Sequence, residues 1–193
     1  MLLSTSTTPN RYYPRFDVQS RAVSRATVNK MSSEVIGASL FVPSTARGLY
    51  EVLFDVQSFP SWAPGVRRVE VLEGAGEPGM ISEWEVSIFG MKKKILSVLE
   101  EAESPAFLRW TYDGLVRGWG QCAIKGWGDG TLAEFHTELH PLEPILGKLM
   151  RMPATKGAAS RHLKRCLARL GRVVSGDDPR IRVGPPEGRL GSW

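Results

Sequence analysis

An apolar, strand-like run from Val35 to Val42 ends at Pro43. Ser44-Thr45 then offers a helix start, and the pattern over Thr45–Val56 predicts a helix capped by Ser44. A helical turn is predicted at Ser58–Trp62, bounded by Pro60 and Pro64. Six strand-like segments follow: Arg67–Leu72, Met80–Ile88, Met91–Glu101, Phe107–Tyr112, Val116–Lys125 and Thr131–His140. Phe89-Gly90, Asp113-Gly114 and Asp129-Gly130 supply tight turns between them. The chain closes with a helix predicted over Leu142–Val174. Its stripe of Leu142, Ile145, Leu149, Met152, Leu163, Cys166, Leu170 and Val173 recurs in steps near three and four, with Pro153 kinking it or ending a first short segment. A lone strand, a helical interruption, a run of strands and a closing helix imply an α+β helix-grip fold: a curved antiparallel sheet wrapped around the long C-terminal helix.

Strand alternation assigns faces. In the last strand, Leu132, Glu134, His136, Glu138 and His140 share one face, and Ala133, Phe135, Thr137 and Leu139 the other. The carboxylates mark the first set as outward, because burying them costs several kcal/mol. The same logic turns Ser82, Trp84, Tyr112, Trp110, Gly118, Gly120, Cys122 and Ile124 inward. Gly118 and Gly120 leave side-chain volume missing from the inner face. Trp84, Trp110, Tyr112 and Phe135 can line that gap, which makes a cavity; alternatively Leu149, Met152 and Leu163 of the helix fill it.

Charge is unevenly spread. The net +5 conceals a body, residues 34–143, with nine basic and sixteen acidic residues, and a stretch, 144–176, with eight basic residues and no acid. The basic helix (Lys148, Arg151, Lys156, Arg161, Lys164, Arg165, Arg169, Arg172) reads as a solvated face or as a surface attracted to an anionic membrane. Nucleic acid is the weaker partner, because the aromatics that would stack on bases point inward. Residues 1–33, rich in Ser, Thr and Arg, read as a disordered leader, arising from a start assigned upstream of Met31 or from a transit-like segment. Residues 34–174 form one domain in this reading, and the Gly- and Pro-rich residues 175–193 a disordered tail. No window approaches the roughly 20 apolar residues of a membrane span. Cys122 and Cys166 match no metal spacing and leave one disulfide open; a reducing compartment, the cytoplasm, is the default.

Candidate chemistry is sparse. Gly74-Ala-Gly76-Glu-Pro-Gly79 matches a dinucleotide fingerprint, but Pro78 and a following strand deny it the helix that such a site needs, so it reads as a hairpin loop. His136 and His140 alternate with Glu134 and Glu138 on the outward face, where surface strands often carry such residues, so no metal is expected. Cys122 lacks a nearby base and reads as packing. Tyr112, Thr137, Ser82 and Ser97 are the inward polar groups. They either orient a ligand or satisfy one another.

Phe41-Val-Pro-Ser-Thr45, Val52-Leu-Phe-Asp55, Phe59-Pro-Ser-Trp62-Ala-Pro-Gly-Val66, Asp129-Gly-Thr131 and the long closing helix resemble the START/Bet v 1-like (SRPBCC) superfamily, in particular its polyketide cyclase/dehydrase and coenzyme-Q-binding branch. The resemblance covers about residues 34–174. It implies a hydrophobic cavity between sheet and helix that takes a lipid, quinone or polyketide-like molecule, with no cofactor. Ser82, Trp84, Trp110, Tyr112, Gly120, Cys122, Phe135, Thr137, Leu149, Met152 and Leu163 are the candidate ligand-binding residues. The expected function is that of a carrier or chaperone. The alternatives are a polyketide cyclase/dehydratase, in which Tyr112, Thr137 and Ser82 steer enol oxygens, and an adaptor whose basic helix meets an acidic partner. No inward acid–base pair arms the cyclase reading, so catalytic residues stay unassigned.

Overall fold

The structure, a computed structural model, describes residues 34–88, 90–142 and 144–184. The leader expected over residues 1–33 lies outside the described residues, as does the tail beyond 184. Eight strands form one antiparallel sheet: β1 (Glu34–Val42), β2 (Val66–Glu73), β3 (Ile81–Ile88), β4 (Met91–Glu103), β5 (Phe107–Gly114), β6 (Val116–Trp127), β7 (Gly130–Pro141) and β8 (Arg180–Gly184). Their order is β2-β3-β4-β5-β6-β7-β1-β8. Hairpins join β2 through β7 in sequence, and β1 closes onto β7 with Phe41 opposite Leu132 and Leu40 opposite Ala133. Register shifts in β2 (between Val66 and Arg68, and between Val71 and Glu73) and in β4 (between Leu99 and Glu101) bend the strands, which curves the sheet.

The helices are α1 (Ala46–Phe54), α2 (Phe59–Trp62), α3 (Pro144–Arg151) and α4 (Pro153–Ser175), with a single 3₁₀ turn at Val56–Ser58 before α2. The α1 cap is Thr45 rather than Ser44: its Oγ1 accepts the Gly48 N–H at 3.1 Å. Ser44 instead gives its carbonyl to Thr131 Oγ1 at 2.6 Å, which ties the start of α1 to β7. Leu49, Tyr50 and Leu53 of α1 and Trp62 of α2 are buried against the concave face.

Pro153 does end a first segment, and the break resets the helical phase. In α4 the buried line runs from half-buried Leu163 through Leu167 and Leu170 to half-buried Val174. Cys166 flanks that line, while Val173, placed on the stripe by sequence, is 53% exposed. Met152 ends up at the junction of the two helices, 51% exposed, because Pro153 starts a new axis there.

The expected structureless tail is corrected over Arg180–Gly184. These residues form β8 and pair with Phe41–Gly37 of β1. Their alternation explains it: Ile181 and Val183 pack against the core, while Arg180 and Arg182 alternate outward. The turn after α4 depends on a close approach, since a Cβ on Gly171 would stand 2.3 Å from Cγ and 2.5 Å from Cβ of Pro179. On the convex face Leu132 is fully buried, although sequence grouped it with outward residues; it lies opposite buried Phe41, whose ring carries the Arg180 guanidinium at 4.1 Å.

Gly171→Ala is expected to lower unfolding stability by about 1–3 kcal/mol in urea titrations, because the rigid proline ring cannot yield. Gly157→Ala, on the exposed part of α4 where a Cβ meets only Arg161 Nη1 at 3.4 Å, is expected to raise it by about 0.5–1 kcal/mol.

Candidate functional site

A cavity of about 320 Å³ lies between the concave face, the α1–α2 segment and α4. The sheet contributes Trp84, Ser97, Leu99, Leu108, Trp110, Tyr112 and Phe135; α1 and α2 contribute Leu53, Phe54, Phe59 and Trp62; α4 contributes Leu163, Cys166, Leu167 and Leu170. The wall grades from buried Met80, Leu99, Leu108 and Leu170 to half-buried Val66, Val86, Ile95 and Leu163. Phe59 meets Trp84 edge-to-face at 4.8 Å and Trp62 at 4.3 Å, which locks the α2 turn onto the sheet.

Of the residues singled out by sequence, Trp84, Trp110, Tyr112, Phe135 and Leu163 stand in this wall. Ser82 is buried beneath it, accepting Trp84 Nε1 at 2.8 Å. Thr137 donates to the Trp119 carbonyl at 2.9 Å and is not part of the wall. Cys122 is fully buried in the core between cross-strand partners Leu108 and Phe135. Burial, with Glu134 adding to it, pushes its thiol pKa far up. Leu149 and Met152 belong to α3 and the junction after it, and neither reaches the wall.

The glycine argument also needs correction. A Cβ on Gly120 would fall 2.7 Å from the Trp110 indole, so Trp110 fills the space that the glycine leaves. At Gly118 the missing Cβ admits the Glu138 carbonyl of β7 instead. The hollow therefore comes from the spacing of α4 and α2 above the sheet, not from missing side chains in it. The sequence reading missed Phe54, Phe59, Trp62, Leu167 and the deep leucines. The available signal was two large aromatics, Phe59 and Trp62, in a short Pro-bounded turn that had no other reason to be apolar.

Hydrogen bonds hold the polar groups of the wall in pairs. Trp110 Nε1 donates to the Tyr112 hydroxyl, Trp84 Nε1 to Ser82, and Trp62 Nε1 to Ser58 Oγ at 3.4 Å. Burial raises the Tyr112 pKa, with the Trp110 and Thr137 contacts pulling against it. The Cys166 thiol is likewise raised by burial, offset in part by Arg169 and Arg165. Both cysteines are free thiols. Among the described residues no cluster of three His, Cys, Asp or Glu gathers to hold a metal. His140 Nε2 sits 3.3 Å from Glu138 Oε1 on the outer face, and Glu138 also accepts Trp119 Nε1 at 3.1 Å. The Gly74–Gly79 stretch is the β2–β3 loop. No helix among the described residues is long and apolar enough to cross a membrane.

Solved structures share this architecture. A START superfamily protein from Mycobacterium smegmatis superimposes with a TM-score of 0.62 at 16% identity, covering 72% of this chain and 96% of its own. The Zhui aromatase/cyclase from Streptomyces sp. R1128 does so with 0.60 at 17%, covering 74% and 96%. Ara h 8.0201 gives 0.58 at 12%, covering 74% and 98%. At these identities the likeness establishes the helix-grip fold alone. No curated protein matches in sequence. The polyketide cyclase / dehydrase and lipid transport family matches residues 36–175, and the chain belongs to that family.

Proposed function

We propose that the protein binds a lipophilic small molecule in the cavity between sheet and α4, as a carrier or chaperone of a quinone, lipid-derived or polyketide-like compound. One observation carries this: α4 spans the concave face and leaves about 320 Å³ open, walled almost wholly by apolar and aromatic side chains. Protein interiors otherwise close to crystal-like density, and pockets of this size and composition are where small ligands bind. Burying roughly 300 Å² of apolar guest surface contributes about 7 kcal/mol. Ordering the guest consumes part of that, so affinities are micromolar or weaker unless polar anchors add to them. The titratable groups of the wall, Tyr112 and Cys166, are both held in their neutral forms by burial, which suits holding a guest better than moving its protons.

Delivery to and from an anionic membrane is the second part of the proposal. Arg161, Lys164 and Arg165 are exposed on α4 and form no ion pair among the described residues. A basic residue near an anionic bilayer contributes about 1 kcal/mol.

Two measurements check these readings. The lipophilic fluorophore N-phenyl-1-naphthylamine is expected to bind saturably at micromolar concentration. Leu163→Trp, at a half-buried position of the wall with room for a larger side chain, is expected to weaken it at least tenfold with the melting temperature kept. Absence of saturable binding in the wild type, or unchanged binding in the variant, removes the cavity reading. For the membrane, co-sedimentation with phosphatidylserine/phosphatidylcholine vesicles is expected to exceed that with phosphatidylcholine alone. Changing Arg161, Lys164 and Arg165 to Glu should lower the partition coefficient on the order of 100-fold. Equal sedimentation with both vesicles removes the membrane reading and leaves the cavity intact.

A further inference from the structure

Almost every polar group at the cavity is already committed to a protein partner. The indole N–H groups of Trp62, Trp84 and Trp110 donate to Ser58, Ser82 and Tyr112. Ser82 Oγ passes its own hydrogen to the Ser97 carbonyl at 3.5 Å. Tyr112 accepts from Trp110, with Thr137 beside it. Thr137 has one hydrogen, and it goes to the Trp119 carbonyl at 2.9 Å. Of the two lone pairs of the Tyr112 hydroxyl, one is filled by Trp110 and one stays open.

One hydroxyl stands outside this chain. Ser97 is in the cavity wall, 5% exposed, and its Oγ has no hydrogen-bond partner among the described residues. The β-register puts it directly between Ser82 on β3 and Tyr112 on β5, on the same face. A buried hydroxyl without a partner destabilises a fold, and such a group in a native protein calls for an explanation. The cavity supplies one. Among the described residues no Asp, Glu, Lys, Arg or His lines it, so none of them compensates a charge there.

Resting on the cavity-binding reading above, we propose that Ser97 Oγ is the anchor for a neutral oxygen of the guest, with the free lone pair of Tyr112 beside it. The guest is then an uncharged ring compound bearing a ketone, quinone-type carbonyl or hydroxyl. A carbonyl accepts from Ser97; a hydroxyl accepts from Ser97 and donates to Tyr112. A cavity of about 320 Å³ fits a compact ring system.

The test uses displacement of N-phenyl-1-naphthylamine from the full chain by three probes of matched shape: 2-acetonaphthone, its hydrocarbon isostere 2-isopropenylnaphthalene, and 2-naphthoate. The ketone is expected to displace at concentrations at least tenfold below those of the hydrocarbon and of the carboxylate. Ser97→Ala is expected to abolish the preference for the ketone, leave hydrocarbon displacement unchanged, and leave the melting temperature of the unliganded protein equal or higher, since it removes a hydroxyl that bonds nothing. A ketone preference that survives in Ser97→Ala overturns the anchor. Wild-type displacement that ignores the carbonyl does so too, as does a carboxylate that binds as tightly as the ketone. A marked fall in melting temperature for Ser97→Ala also counts against it, because the hydroxyl would then be serving the fold. If the fluorophore itself fails to bind, the cavity reading falls first and the anchor with it. If it binds and none of the three displaces it, the anchor alone is overturned.

Discussion

The cavity depends on how α4 is held over the concave face, for Leu163, Cys166, Leu167 and Leu170 form its wall on that side. Leu167 and Leu170 are buried in the common core, and the Gly171 backbone lies against Pro179. That contact aims the chain back into the sheet as β8, which pairs along β1. Farther toward its N-terminus α4 loses this grip: from Pro153 to Arg161 every residue is exposed or half-buried. The buried leucines, the Gly171–Pro179 packing and the return of the chain as β8 together set the height of the helix over the sheet.

Inside the cavity the wall is stiffened by pairs of indoles and hydroxyls. Each of Trp62, Trp84 and Trp110 spends its N–H on a serine or tyrosine oxygen, so the large rings are held while their apolar surface faces the hollow. Phe59, wedged against Trp84 and Trp62, extends the same wall from the α2 turn. A rigid wall matters for a modest pocket, because a guest gains most when its host does not have to be ordered on binding. Behind this wall Thr137 donates to the Trp119 carbonyl, and on the outer side of the sheet Trp119 donates to Glu138 and carries Arg109 at 5.3 Å.

Strand phase was legible from alternation, and it placed Trp84, Trp110, Tyr112 and Phe135 correctly because each is locked to its neighbours by a two-residue period. The same method failed at Gly120, since a period says where a missing side chain points but not that Trp110 will lie over it. It failed at Met152 for a related reason. A stripe carried through Pro153 assumes one helix axis, and the proline begins a second. The tail was misjudged because its glycines and prolines outweighed a four-residue alternation, Arg180-Ile-Arg-Val183, which gains its meaning only when β1 offers an open edge.

What the chain's own pattern determined is the parts and their faces: the strand periods, the closing helix and the turns between them, all set by interactions among residues close in sequence or directly across a hairpin. What only the tertiary structure decided is the hollow and its chemistry. Whether Ser97, Ser82, Thr137 and Tyr112 would face a guest or one another depends on which oxygen lies within about 3 Å of which hydrogen. Those distances are fixed by the curvature of the sheet and the height of α4, which arise from contacts between residues far apart along the chain. Local periodicity carries no record of them.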